Sequence, residues 1–148
     1  MFLFESMIKT RYQRILVALD GSKNSLRGLN DAIYLARQCQ AVITGINVIA
    51  RPPHPAFRSP RYPEKPLLQN AQKFMDYAKK HCAQNGIIFE QKIVFGDPGY
   101  SIVKFANDKN FDIIVIGARG LGAIREMFFG SVSNYVLHKS SLPILVIK

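Results

Sequence analysis

The chain has 148 residues, 48% hydrophobic and 20% charged, with a formal net charge of +10, which suits one globular domain and excludes collagen-like, disordered and disulfide-scaffold classes. Its two cysteines, Cys39 and Cys82, lack CxxC spacing and a histidine cluster, so they read as buried free thiols of a reducing compartment rather than metal ligands. The basic residues are scattered, with no run of five and no aromatic-basic RNA motif, so the charge reads as a solvated surface and specific nucleic-acid binding is not expected.

The apolar run at the start is broken by Glu5, too early for the core of a secretory signal, and Met7 is an alternative start. The longest uncharged apolar-rich stretch, residues 39–50, is too short to span a bilayer; a cytoplasmic protein without membrane contact is expected. Residues 14–19 (RILVAL) form a short, β-rich apolar run, as in a strand buried on both faces of a parallel sheet. Asp20-Gly21-Ser22 breaks it, and Ser22 or Asp20 can cap the following helix, whose inner face carries Leu26, Leu29, Ile33 and Ala36. Residues 41–49 predict a second strand.

Residues 51–66 hold six of the eight prolines, a density neither helix nor sheet interior tolerates, so an exposed irregular excursion is expected there. A second helix follows, with Leu67, Leu68, Ala71, Phe74, Met75 and Ala78 on one stripe and Gly86 placed to end it. Residues 87–95 predict the third strand. Gly96-Asp97-Pro98 then opens a helix with Asp97 as N-cap and Pro98 at its first position, and Ile102, Val103 and Ala106 form its inner face. Residues 113–116 predict the fourth strand, followed by a glycine-spaced loop, a short helix over 131–139 and a last strand running from Leu142 to Lys148. His54, His81 and His138 are isolated; the last two lie near helix ends, where the dipole favours them.

Five strands alternating with helices predict a single-domain α/β fold over residues 1–148, an open five-stranded, mostly parallel, Rossmann-like sheet with helices on both faces. Ligands in such sheets sit beyond the carboxyl ends of the strands where strand order reverses, which directs attention to the loops after the first and fourth strands. After the fourth, Gly117-Ala118-Arg119-Gly120 is followed nine residues later by Gly130-Ser131-Val132-Ser133. Glycines permit close backbone approach, the helix start offers unpaired N–H groups and a positive dipole end, and the hydroxyls of Ser131 and Ser133 can donate to phosphate or cap the helix. Arg119 and Arg125 could add charge. No GxxxxGK[ST] occurs, and the third glycine of the dinucleotide fingerprint is missing after Gly120 and Gly122.

These residues resemble the ATP-binding branch of the universal stress protein family, whose motif has the form G-x2-G-x9-G-[S/T], matched by Gly117, Gly120, Gly130 and Ser131. The likeness extends to ILVALDGS at 15–22, Val48, the GDP turn at Gly96 and the terminal PILVIK. It implies that Ala18 and Asp20 line a nucleoside pocket, that the Val48 backbone meets adenine, and that Gly117 lies near ribose. It further implies that Gly120, Gly130, Ser131 and Val132 hold phosphates with Ser133 as a helper and Arg119 nearby. Leu19 and Ile116, at the ends of the same strands, join this set. The best-known ATP-binding members carry proline where Ala18 stands. The implied ligand is ATP or a related adenine nucleotide, with or without Mg²⁺, and the implied assembly is a homodimer through the last strand.

A nucleotide-responsive regulatory protein is therefore the expected function. The alternatives are a slow ATP hydrolase or other adenine-nucleotide enzyme, and a dimeric interaction protein without nucleotide. Glu126 could orient a water but reads as a solvated loop carboxylate. No catalytic residue and no metal site are expected, and at most weak ATPase activity.

Overall fold

The computed structural model describes residues 12–51, 63–120 and 129–148. They form β1 (Arg14–Ala18), α1 (Lys23–Cys39), β2 (Val42–Ala50), α2 (Glu64–Gln84), β3 (Phe89–Gly96), α3 (Pro98–Asp108), β4 (Ile113–Gly117), α4 (Ser131–Lys139) and β5 (Ile144–Ile147). The strands lie in the order β3-β2-β1-β4-β5, and every pair is parallel. The sheet is thus wholly parallel among the described residues, where a mostly parallel one was expected.

The continuous apolar runs follow from burial on two sides. In β1, Ile15 and Val17 enter the layer under α1 and α2, whereas Leu16 enters the layer under α3 and α4; all three have 0% exposure. Leu29, Ala32, Ile33 and Ala36 of α1 join Met75, Ala78 and Cys82 of α2 in the first core. Ile102 and Ala106 of α3 join Val136 of α4 in the second. The chain starts in the middle of the sheet, builds outward to β3, then crosses back to β4. Right-handed crossovers made in opposite directions place the two helix pairs on opposite faces. Asp112, buried just before β4, fixes the entry to β1 by accepting from the amides of Gln13 (2.8 Å) and Arg14 (2.9 Å).

Local signals act as their chemistry predicts. Ser22 is the N-cap of α1, its hydroxyl accepting from the Ser25 amide at 3.1 Å. Asp97 caps α3 through the Tyr100 amide at 2.9 Å, with Pro98 in the first turn. Gly86, at φ +73°, follows the end of α2. His81, in the last turn of α2, meets Asn30 Oδ1 at 2.7 Å.

Four expectations need correction. The irregular excursion does not reach residue 66: α2 begins at Glu64, and Pro66 sits in its first turn, where amides have no intrahelical acceptor to lose. Residues 52–62 lie outside the described residues. Leu67 is 37% exposed and Leu26 only half-buried; each stands in the first turn of its helix. Cys39 is half-buried near the end of α1, so only Cys82 is a core thiol. The third strand starts at Phe89, two residues later than expected, with Ile88 exposed.

Candidate functional site

β1 ends at Ala18 while β2 continues to Ala50. The chain leaves β1 toward α1 on one face and leaves β4 toward α4 on the other. This divergence opens a crevice above the carboxyl edge of the sheet, a cavity of about 420 Å³ in the size range of small-molecule sites. Its walls come from the ends of β1, β2 and β4 and the first turns of α1, α3 and α4. Ala18, Leu19, Asp20, Val48, Ile116, Gly117, Arg119, Gly120, Gly130, Ser131, Val132 and Ser133, singled out from sequence, are all brought to this cavity. Residues 121–128, with Arg125 and Glu126, lie outside the described residues, as does His54.

The β2 end of the cavity is apolar, with Ile46 and Val48 of β2 and Ile102 of α3 lining it. Here the β1–β2 ladder stops. Its last rung runs from the Leu19 amide to the Ile46 carbonyl at 2.9 Å. Peptide groups alternate in direction along a strand, so Val48, two residues on, faces the space that β1 has vacated. Leu19's carbonyl would next accept from the Val48 amide; it accepts instead from Asn47 Nδ2 at 2.8 Å. The other end of that amide, Asn47 Oδ1, is buried without a hydrogen-bond partner, an arrangement that costs roughly 1–3 kcal/mol.

The opposite end holds the start of α4. Gly130 is the N-cap of α4. Its amide donates to the Ala118 carbonyl at 2.7 Å, and the first intrahelical bond runs from Asn134 to the Gly130 carbonyl at 3.0 Å. The amides of Ser131, Val132 and Ser133 therefore have no intrahelical acceptor. This changes the roles expected from sequence. Gly130 cannot offer its own N–H, and the Ser133 hydroxyl is committed, donating to Ala118 O at 2.7 Å with a second contact to Gly130 O at 3.1 Å. Ala118 thus ties the end of β4 to the start of α4, presenting three backbone donors at the positive end of the helix dipole.

Asp20 and Gly120 meet between the two ends. Asp20 Oδ1 accepts from the Ser22 amide at 2.9 Å, while a β-carbon added to Gly120 would lie 2.4 Å from Oδ2. A side chain at Gly120 would have to displace this carboxylate. Gly117 is similarly constrained, since its β-carbon would lie 3.0 Å from Asn24 Cβ. At Gly130 the nearest atom to such a carbon among the described residues is 3.7 Å away, so none of these forbids a side chain there.

The sequence model of the universal stress protein family matches residues 11–148. The chain belongs to this family. It is 29% identical over 150 residues to universal stress protein YxiE of Bacillus subtilis, covering 93% of this chain and 99% of that one. Its fold is similar to the solved structure of MJ0577 of Methanocaldococcus jannaschii, with a TM-score of 0.85, 28% identity, and coverage of 94% and 97%. A universal stress protein of Archaeoglobus fulgidus, solved in complex with dAMP, shares the fold at a TM-score of 0.73 and 24% identity, covering 93% of this chain and 98% of that one.

In this universal stress protein, Ser22, Ser25, Ile46, Asn47, Ala50, Pro98 and Ile102 also line the cavity and were not anticipated. Ile46 and Ala50 lie two residues either side of Val48 and so share its face of β2, a period-two signal present in the sequence. Pro98 and Ile102 carry no such signal; they arrive because α3 packs its first turn over β2.

Proposed function

We propose that the cavity binds an adenine nucleotide, ATP by the resemblance of its glycine motif, and that the protein is a nucleotide-responsive regulator in the stress response. The observation that carries this reading is the pairing of two unlike ends in one cavity. Three amides at the start of α4 without an intrahelical acceptor suit a polyphosphate, and the Val48 peptide edge, flanked by Ile46 and Ile102, suits a planar base. Asp20 follows β1, which lies between β2 and β4, and would meet the ribose. A relative captured with dAMP supports the same ligand class. Mg²⁺ would enter on the phosphates, since no cluster of three His, Cys, Asp or Glu among the described residues could hold a metal.

Among the described lining residues Asp20 is the one carboxylate, and it already accepts from the Ser22 amide. Hydrolysis needs a positioned water and charge neutralisation along the reaction path, so turnover no faster than about 10⁻² s⁻¹ is expected. Occupancy would act by ordering the two glycine segments against each other and biasing a partner surface. Titration calorimetry with ATP and Mg²⁺ tests the reading: saturable binding at sub-millimolar ATP supports it, and absence of heat and of thermal stabilisation at millimolar ATP refutes it.

Assembly follows from the same fold. β5 ends the strand order, and Leu145 on it is 36% exposed. An open apolar edge of this kind pairs readily with a second copy, and a homodimer through β5 is the arrangement proposed.

A further inference from the structure

We propose that Asn47 is a positioning residue that holds the Val48 peptide open for the base of a bound nucleotide, an inference that rests on the adenine-nucleotide reading of the cavity.

In a continuous parallel ladder, the Leu19 carbonyl would accept from the Val48 amide one rung beyond the bond from Leu19 N to Ile46 O. That rung is absent. The Leu19 carbonyl is instead occupied by Asn47 Nδ2 at 2.8 Å, and registered pairing of β1 with β2 stops at Ala18 and Ile46. The side chain of one β2 residue therefore replaces the main-chain donor of the next. Val48 keeps its peptide N–H and C=O facing the cavity, a donor and an acceptor side by side, which is the pattern complementary to the ring nitrogen and amino group at the edge of adenine.

The chemistry of Asn47 fits this task and little else. The acceptor at Leu19 fixes which end of the amide is nitrogen, leaving Oδ1 buried without a partner on a residue only 8% exposed. A leucine at this position would satisfy burial, remove the orphaned oxygen, and leave Leu19 to pair with Val48. The retained cost at a residue lining the cavity marks the amide as functional. The required property is a donor on a short side chain; an aspartate has the same shape and, ionised, no donor.

The test uses Asn47→Leu and Asn47→Asp with two measurements. The first is backbone amide exchange by NMR in nucleotide-free protein. In the wild type, the Val48 amide is expected to exchange far faster than its ladder neighbours and to gain protection when ATP is added. In either variant it is expected to slow by about a hundredfold without nucleotide, as the extra rung forms. The second is affinity for ATP compared with inorganic tripolyphosphate. Both variants are expected to lose at least about tenfold for ATP while tripolyphosphate binding is unchanged, a split that general destabilisation would not produce.

A Val48 amide already protected in the nucleotide-free wild type would overturn the proposal. So would unchanged Val48 exchange in both variants, or an equal loss for ATP and tripolyphosphate. Failure of the wild type to bind ATP would remove the adenine reading instead, while the exchange measurement still decides what Asn47 does to the ladder. If Asn47→Leu does not fold, Asn47→Asp, nearly identical in volume, carries both readouts.

Discussion

Gly120 and Gly130 belong to one motif, yet a methyl group would meet different things at each. At Gly120 it would strike the Asp20 carboxylate, and at Gly130 it would find ordinary contact distances with an unstrained φ of −75°. Gly130→Ala is therefore expected to leave stability within about 0.5 kcal/mol while weakening ATP binding at least about tenfold, since the new methyl would enter the space proposed for phosphate. Paired thermal melts and calorimetry check this; a large loss of stability would mean that the glycine serves the fold. Cys82 offers a second residue-level outcome. Burial pushes its thiol up to about 11 from 9.0. A pKa raised in the folded state favours folding fully below pH 9 and loses that advantage as pH rises toward 11. Alkaline unfolding over that window should be delayed in Cys82→Ser relative to its own neutral-pH stability, followed by circular dichroism. Asn47 shows what sequence could not reveal at this scale. An asparagine in a strand reads as a weak β-former, and only the strand register shows which carbonyl it takes.

Among elements, α4 is the one whose start carries the proposed phosphate site. The Ser133 hydroxyl and the Gly130 amide converge on one carbonyl, that of Ala118. Ser133→Ala removes one of the two bonds and is expected to cost about 1 kcal/mol, with a few-fold loss of ATP affinity because the three first-turn amides of α4 become less rigidly held. Loss of affinity without loss of stability would instead place the hydroxyl on the ligand. The strands and the caps at Ser22 and Asp97 were legible because each depends on a few adjacent residues. The start of α2 was not. Six prolines between 51 and 66 read as one irregular block, but a proline in a first helical turn loses no hydrogen bond, and nothing local separates Pro66 from the others. The commitment of Ser133 to the chain rather than to a ligand was hidden for the same reason: its partner is 15 residues away, across a strand end.

For the whole molecule, short continuous apolar runs alternating with helical patterns sufficed to give the sheet class, and the strand reversal beside β1 then located the crevice without knowledge of its contents. Ligand binding only to the folded state should raise its stability by about 2.7 kcal/mol at a hundredfold excess over Kd, visible as an ATP-dependent rise in melting temperature. Leu145→Lys on the open edge of β5 should shift a dimer toward monomer in sedimentation at micromolar concentration without changing the melting temperature of the dilute protein by more than a few degrees.

The sheet separates the interior into two cores that share only its strands. The apolar wall of the cavity belongs mainly to the α3–α4 side, through Ile46, Val48, Ile102, Ile116 and Val132, while Met75, Ala78 and Cys82 lie on the other. Substitutions beneath α1 and α2 can therefore harden or soften the protein with little effect on the pocket, and changes in the pocket can be absorbed without loosening that second interior. Such a partition lets a lineage retune its ligand preference and its heat tolerance on separate schedules, and gives an engineer two independent dials.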